Sequence, residues 1–315
     1  MQAFLTALLR NMIRYLVKPV LGPPFPVWAQ RLCLRLATLL MRPPRGSSFS
    51  RISVKGRPVE RVRCGSADGG AILYLHGGAY VAGSPATHRS ITGRLAKLTA
   101  SEVFAPDYRL APEHPFPAAL EDAVATYRWL LAQGYSADKI AIVGDSAGGG
   151  LTMATALKLR DEGTPLPAAL VTFSPWVDLG AELEPDPELA RQDVMIRPDW
   201  GRHSADAYRG RTAADHPLVS PVHADLHGLP PTLIQVGTRE VLLHDSERLA
   251  EGLKAAGSSA RLEIYHDMWH VFQVHGGWLK RADDALSEAA EFICHARAQP
   301  APVAADRQAG AGVTG

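Results

Sequence analysis

The feature that most constrains this chain is the pentapeptide at residues 144–148, which has the pattern G-x-S-x-G. An apolar run at residues 140–143 precedes it, and residues 151–157 after it have helix-forming composition. Strand, sharp turn and helix in this order are typical of a nucleophile elbow, in which the turn holds a serine hydroxyl above the edge of a sheet. The pattern is short enough to arise by chance, so its interpretation depends on what else the chain supplies.

The rest of the chain alternates between short apolar strands and helices. Strands separated by helices form a mostly parallel sheet with helices on both faces, so the pattern predicts an α/β fold. The predicted strands lie at residues 52–54, 59–62, 71–75, 103–105, 140–143, 168–173, 232–236 and 261–265. The predicted helices between them lie at residues 86–99, 117–133, 245–256 and 282–297.

The N-terminal part of the chain reads as two amphipathic helices, one ending before Pro19 and one at about residues 27–41. Arg10, Arg14 and Lys18 interrupt the first before any apolar run could span a membrane, and no cleavage site follows it. We expect both helices to pack on the body of the protein, with a membrane-surface role as the alternative. The apolar face expected to pack comprises Phe4, Leu8, Ile13 (or Met12), Leu16 and Val17.

Composition narrows the range of functions. With 33 basic and 32 acidic residues, the chain has no charge excess to suggest a nucleic-acid partner. Its three cysteines, Cys33, Cys64 and Cys294, are far apart, which predicts neither a disulfide framework nor a zinc site and favours a reducing, cytoplasmic compartment. A charged, proline-rich stretch at about residues 180–227 predicts an insertion, and the Ala/Pro/Gly-rich residues 299–315 predict a disordered tail.

A nucleophilic serine needs donors for the oxyanion, a base and a group that orients the base. Residues 76–78 (H-G-G) directly follow the strand ending at residue 75, and two adjacent glycines leave backbone amides open to a substrate carbonyl. We therefore predict an oxyanion hole formed by the amides of Gly77, Gly78 and Ala147. On its own, the glycine pair would also fit a tight turn at a strand end.

The base and the acid are expected after the last two strands, because α/β-hydrolases have the chain order serine, acid, histidine. The last predicted strand leads into His266 and His270, and the preceding one leads into residues 237–241. The two histidines are four residues apart, a spacing that could also hold a metal on a helix. The chain offers no further ligand cluster beside them, so no metal is predicted.

Taken together, these motifs resemble the hormone-sensitive-lipase-like carboxylesterases, the bacterial family IV branch of the α/β-hydrolases. The resemblance covers residues 50–297 and depends on several motifs occurring in order. The matching stretches are residues 74–78, 107–118, 144–149, 174–179 and 265–272.

The resemblance implies a triad of Ser146, His270 and Glu240. In the family the histidine directly precedes a small or apolar residue and a phenylalanine, which favours His270 over His266. The family's G-x-x-acid turn places the acid at Glu240, 30 residues before His270. The acid is glutamate here rather than the commoner aspartate, so Asp245 remains a substitute.

Other polar residues near these motifs are given structural roles. Arg239 stands where close relatives often carry a second carboxylate. Asp107 and Arg109, in the proline-rich stretch 107–118, are expected to brace the sheet, as this stretch does in the family. Asp145, next to the serine, is expected to organise the turn.

The resemblance further implies hydrolysis of short- to medium-chain esters without a cofactor, with lactone hydrolysis as the nearest alternative. The same triad also serves amidases, and the same fold includes non-catalytic small-molecule receptors. The family's architecture implies cap helices at residues 1–45, a catalytic domain at 46–298 and a contribution to the cap from about 180–215. Dimers are frequent in the family, so a homodimer is an expectation.

Overall fold

The computed structural model describes residues 1–180 and 187–299, and one mixed sheet of eight strands forms its centre. The spatial order of the strands is β1-β2-β4-β3-β5-β6-β7-β8. β2 pairs antiparallel with both β1 and β4, and all other pairs are parallel. The strands are β1 (Ser47–Val54), β2 (Arg57–Cys64), β3 (Ala71–Leu75), β4 (Glu102–Pro106), β5 (Ile140–Asp145), β6 (Ala169–Phe173), β7 (Thr232–Gly237) and β8 (Ala260–Tyr265).

Helices cover both faces of this sheet, as predicted. The α-helices are α1 (Gln2–Met12), α2 (Val27–Ala37), α3 (Arg89–Leu98), α4 (Ala118–Ala132), α5 (Ala147–Asp161), α6 (Pro187–Gln192), α7 (Pro198–Arg209), α8 (Leu243–Ala255) and α9 (Lys280–Ala298). The core on one face includes residues of α4, α5 and α8, and the core on the other includes residues of α3 and α9. The chain therefore has the predicted α/β architecture, with helices on both faces of a mostly parallel sheet.

Burial explains which strands could be recognised in full. Every residue of β3 is buried, so its sequence is continuously apolar. The edge strand β1 alternates between more and less exposed residues and carries serine and arginine on the outside. Because of those polar residues, only residues 52–54 of β1 were predicted, whereas the strand begins at Ser47.

Only part of the predicted face of the N-terminal segment packs on the protein. Ile13 and Val17 are half-buried against the core, as predicted. The prediction is wrong for Phe4, Leu8 and Leu16, which are exposed. Phe4 is 75% exposed and Leu8 is 43% exposed, whereas Leu9 is 4% exposed and belongs to a buried cluster with Trp269. After α1 the chain forms a π-helical turn at Ile13–Val17, followed by a 3-10 turn at Lys18–Val20. A regular 3.6-residue period therefore does not continue through this segment.

Long cationic side chains attach this segment to the insertion between β6 and β7. Arg14 Nη2 donates to the carbonyl oxygen of Gln192 at 3.0 Å, and Lys18 Nζ donates to that of Asp193 at 2.6 Å. The part of the insertion at residues 181–186, like residues 300–315 of the predicted tail, lies outside the described residues. Nowhere in the described residues is a helix long and apolar enough to cross a bilayer.

Candidate active site

The turn between β5 and α5 positions Ser146. Its backbone has φ 54° and ψ −122°, a strained conformation for a residue with a side chain. A Cβ at Gly148 would collide with the carbonyl oxygen of Leu75, so only glycine allows the helix to approach β3. The amide of Ser146 donates to the carbonyl oxygen of Phe173 at 2.8 Å, which ties the turn to the end of β6. The serine is thus held at the carboxyl ends of the parallel strands.

His270 and Glu240 meet at the same edge of the sheet. His270 Nδ1 lies 2.9 Å from Glu240 Oε2, and both side chains are buried. The other carboxylate oxygen, Oε1, accepts hydrogen bonds from the Gly237 amide at 2.7 Å and the Ser174 hydroxyl at 2.8 Å. Because both oxygens of the carboxylate are engaged, the longer glutamate side chain is held in one orientation towards the imidazole.

Ser174 connects the acid and base loops and was not singled out from the sequence as a site residue. Its hydroxyl donates to Glu240 and accepts from the amide of Val271, the residue after His270, at 3.1 Å. The available signal was its place directly after β6, where the carboxyl ends of parallel strands meet.

The environment of His270 favours its protonated form. Burial alone would lower its pKa, but the hydrogen bond and negative charge of Glu240, with the charges of Asp193 and Asp145, raise that pKa above the ordinary value. An imidazole held in this way can accept a proton and keep its charge stabilised.

Asp193, in the insertion, is a second carboxylate near His270 that sequence reasoning missed. It is fully buried, and its Oδ2 accepts from the amide of Val241 at 3.0 Å, directly after Glu240. Its Oδ1 accepts from the amides of Met195 and Ile196 at 2.8 Å. Burial raises the pKa of this carboxyl. Nothing in the mixed periodicity of the insertion marked this residue.

The oxyanion loop after β3 differs from the prediction at Gly77. The amide of Gly77 donates to Asp145 Oδ1 at 3.0 Å, so it is already used within the protein. The hydroxyl of Tyr74 donates to the same oxygen at 2.6 Å, and His88 Nε2 lies 3.2 Å from Oδ2. Burial by itself would raise the pKa of Asp145. The charge and hydrogen bond of His88, together with the hydrogen bond of Tyr74, outweigh burial and hold that pKa below its usual range.

Three other backbone amides near Ser146 differ from the Gly77 amide, because they have no acceptor within the described residues. Within residues 1–180 and 187–299, the amides of Gly78, Ala79 and Ala147 donate no hydrogen bond to the protein. Gly78 has φ +121°, a conformation that favours glycine, and Ala79 has φ +54°. Buried amides rarely lack an acceptor, so these three are suited to receive one from a ligand. Ala79 was not predicted, and its position beside the glycine pair was the only signal.

A largely apolar cavity of about 530 Å³ brings these groups together. Gly78, Ser146 and His270 are among the residues that line it. Much of the remaining lining comes from the N-terminal segment, including Leu9, Met12, Leu16, Leu32 and Leu36, and the insertion adds Met195 and Trp200. An apolar cavity with a few convergent polar groups is typical of a small-molecule site.

The substitute acid lies elsewhere. Asp245 accepts hydrogen bonds from the amides of Val177 at 2.9 Å and Asp178 at 3.0 Å, and burial raises its pKa to about 7. Its partners are therefore backbone amides of the loop after β6.

The remaining alternatives also lie outside the cavity. His266 is exposed, and Arg239 Nε donates to Asp267 at 2.6 Å. Arg109 pairs with Asp122 at 2.9 Å, which fits a bracing role for the proline-rich stretch. In residues 1–180 and 187–299, no three His, Cys, Asp or Glu side chains converge to hold a metal ion.

Comparisons with known proteins agree with this architecture. A family model described as the alpha/beta hydrolase fold matches residues 72–274. An acetyl-hydrolase of Streptomyces hygroscopicus is 43% identical over 74% of this chain and 78% of its own length. A solved esterase from the bacterial hormone-sensitive lipase family has 39% identity and a TM-score of 0.88, covering 94% of this chain and 99% of its own. The solved structure of EstE5, soaked with p-nitrophenyl butyrate, has 38% identity and a TM-score of 0.87, with the same coverage.

Proposed function

This chain belongs to the α/β-hydrolase fold family and, within it, to the hormone-sensitive-lipase-like carboxylesterases; on that premise we propose that it cleaves short- to medium-chain esters through Ser146, His270 and Glu240. Its relatives are named as esterases and acetyl-hydrolases, so the protein is a carboxylic ester hydrolase rather than a receptor. The observation that carries the proposed triad is the 2.9 Å contact between His270 and Glu240, beside a cavity that also contains Ser146.

The first step is acylation of Ser146. As the serine oxygen bonds to the ester carbonyl carbon, its proton passes to Nε2 of His270, and the carbonyl oxygen becomes an oxyanion. When the C–O bond to the leaving group breaks, His270 returns that proton to the departing alcohol. Water then repeats the sequence with His270 as base, which releases the carboxylic acid and the free serine. Glu240 holds the imidazole tautomer and stabilises its positive charge throughout.

We assign the oxyanion to the amides of Gly78, Ala79 and Ala147. This assignment replaces Gly77 by Ala79, because the Gly77 amide is engaged by Asp145. Donors held in place before reaction stabilise the developing charge without reorganising, and removing one typically costs about 10²–10³-fold in rate. The role of Asp145 is then to hold the loop that presents these amides.

The cavity supports an apolar acyl group. Its lining is mostly aliphatic, and the short butyrate ester soaked into the related EstE5 fits this class of substrate. We expect hydrolysis of p-nitrophenyl esters to be fastest for short and medium acyl chains in a series from acetyl to palmitoyl. A lactone and an anilide measured in parallel would distinguish lactonase and amidase activity. A faster lactone or anilide reaction would overturn the substrate assignment.

Substitution of the nucleophile tests the proposal itself. Ser146→Ala should lower kcat/KM for p-nitrophenyl butyrate on the order of 10⁴-fold or more, with little change in thermal unfolding. A phosphonate ester that labels serine nucleophiles should add its mass to the wild-type protein and not to the variant. Full activity of Ser146→Ala, or labelling at another residue, would remove Ser146 from the mechanism.

A further inference from the structure

Exposed apolar side chains are concentrated at the N-terminal end of the molecule. Among the described residues, fifteen large hydrophobic side chains are exposed, and twelve of them lie within residues 1–40. They include Phe4, Tyr15, Leu16, Trp28, Leu36 and Leu39. Single exposed apolar side chains are ordinary, whereas a concentration of this size marks an interaction surface.

This apolar surface is continuous with the catalytic cavity. Met12, Leu16, Leu32 and Leu36 are exposed and also line the cavity that contains Ser146 and His270. A partner that covered the exposed side chains would therefore lie at the entrance of the cavity. Trp28 and Leu39 are exposed without lining the cavity, so they extend the surface beyond the entrance.

The same segment is strongly basic. Residues 1–45 contain seven basic side chains and no acidic one, although the whole chain has a net charge of only +1. The rest of the chain, with 26 of the 33 basic residues and all 32 acidic ones, is therefore net negative. The basic residues are Arg10, Arg14, Lys18, Arg31, Arg35, Arg42 and Arg45.

Most of these charges remain available to a partner. Glu113 neutralises Arg31 at 2.7 Å, and the half-buried Lys18 lies in the field of the Asp193 carboxylate. Arg14 donates only to neutral backbone carbonyls. The side chains of Arg35, Arg42 and Arg45 are exposed and pair with no acidic group within the described residues.

We propose that residues 1–45 form a docking surface for an anionic lipid bilayer, with the mouth of the catalytic cavity facing the lipid. Helices with exposed apolar side chains and a basic character lie in the bilayer interface, with apolar groups at the acyl boundary and cations at the anionic headgroups. Trp28 and Tyr15 are amphipathic aromatic residues of the kind that favours this boundary. A second copy of the chain suits the surface less well, since two segments without acidic residues would repel each other.

The proposal goes beyond the proposed function and does not depend on which residues form the triad. A protein docked in this way would take esters from the interface, where apolar substrates accumulate. Because binding and hydrolysis are measured separately, Ser146→Ala should bind vesicles like the wild-type protein. Its failure to hydrolyse esters would leave the docking proposal unaffected.

The test is co-sedimentation of the full chain with vesicles of phosphatidylcholine, with and without phosphatidylglycerol. We expect binding to the anionic vesicles that weakens as salt is added. Arg35→Glu should weaken it roughly tenfold or more, because two units of charge change near the headgroups. The control Lys254→Glu makes the same charge change on the exposed side of α8 and should bind like the wild-type protein.

A second pair of variants tests the apolar contribution. Leu39→Ser should weaken vesicle binding about tenfold. Leu98→Ser makes the same substitution at an exposed leucine outside the segment and should have no effect on binding. All four variants should hydrolyse a soluble acetyl ester like the wild-type protein. The proposal would be overturned by equal binding to neutral and anionic vesicles, or by equal binding of both variants in each pair. Self-association of the protein that only Leu39→Ser abolishes would also overturn it.

Discussion

The ends of the central strands and the N-terminal segment differ in how tightly their side chains are held. At the strand ends, Glu240 is fully buried and both its oxygens are engaged. In the N-terminal segment, Phe4 and Trp28 are exposed, and cations such as Lys18 hold the chain through backbone carbonyls. The strand ends are therefore fixed by many contacts, whereas the N-terminal segment is held by fewer.

This difference matches two separate tasks, since the strand ends carry out the catalytic chemistry and the N-terminal segment lies where substrate enters the cavity. Catalytic groups must keep their geometry within fractions of an ångström, which requires a close-packed and fully hydrogen-bonded surrounding. A surface that admits substrate needs apolar contacts but no single arrangement of them. Substitutions at the strand ends should therefore change rates, and those in the N-terminal segment should change stability or access.

After removal of the nucleophile itself, the largest effect is expected for Glu240→Gln, which keeps the shape of the acid but removes its charge. The amide cannot stabilise the imidazolium of His270, so kcat/KM should fall about 10³–10⁴-fold. Steady-state hydrolysis of p-nitrophenyl butyrate measures this. Asp245→Asn is the matched control and should cost less than about tenfold. If the control loses more activity than Glu240→Gln, the acid has been assigned to the wrong carboxylate.

Two adjacent leucines test how the N-terminal segment is attached. Leu9→Ala removes a buried side chain packed near Trp269 and should lower the free energy of unfolding by about 2–4 kcal/mol. Leu8→Ala removes an exposed one and should change it by less than about 0.5 kcal/mol. Urea denaturation gives both values. Equal losses would show that the two side chains are equally buried in solution.

The raised pKa of His270 predicts a specific pH dependence. The base must be neutral to accept a proton, so kcat/KM should fall tenfold per pH unit below a midpoint that lies above the ordinary histidine value of about 6.5. Since the folded protein favours the charged imidazole, the contribution of His270 to stability is present at acidic pH and is lost as pH rises through that midpoint. A pH–rate profile with a midpoint below the ordinary value would contradict the environment described for His270.

The smallest effect is expected for Asp193→Asn. Removing a negative charge near His270 should lower the pKa of the imidazole and move the midpoint of the profile to lower pH, by less than about one unit. Asp206→Asn, on the exposed side of α7, should leave the midpoint unchanged. A purely structural role of Asp193 would lower stability without moving the midpoint.

Much of the molecule could be predicted because the signals are local. The turn at residues 144–148, the apolar run of β3 and the helix-forming stretches depend on neighbours in the chain. The α/β-hydrolase fold and its place among the carboxylesterases followed from these motifs in order, and the comparisons confirm both. The triad and the oxyanion donors are proposals, supported by the distances between their groups in the structure.

The use of the Gly77 amide could not be predicted, because its acceptor, Asp145, is 68 residues further along the chain. Ser174 reaches Glu240 across 66 residues and the Val271 amide across 97. Asp193 reaches the Val241 amide across 48 residues, from an insertion without regular periodicity. In each case a short polar side chain finds its partner only after the sheet is assembled.

The N-terminal segment shows the same limit for apolar residues. Helical spacing indicated an amphipathic segment, but it did not reveal that Leu9 would be buried and Phe4 exposed. Local sequence determined the alternation of strands and helices and the position of the nucleophile turn, because backbone propensity and hydrophobic period are short-range properties. Only the tertiary structure decided which amides stay free for a substrate and which apolar side chains face outward, because hydrogen-bond partners and burial depend on residues far apart in the chain.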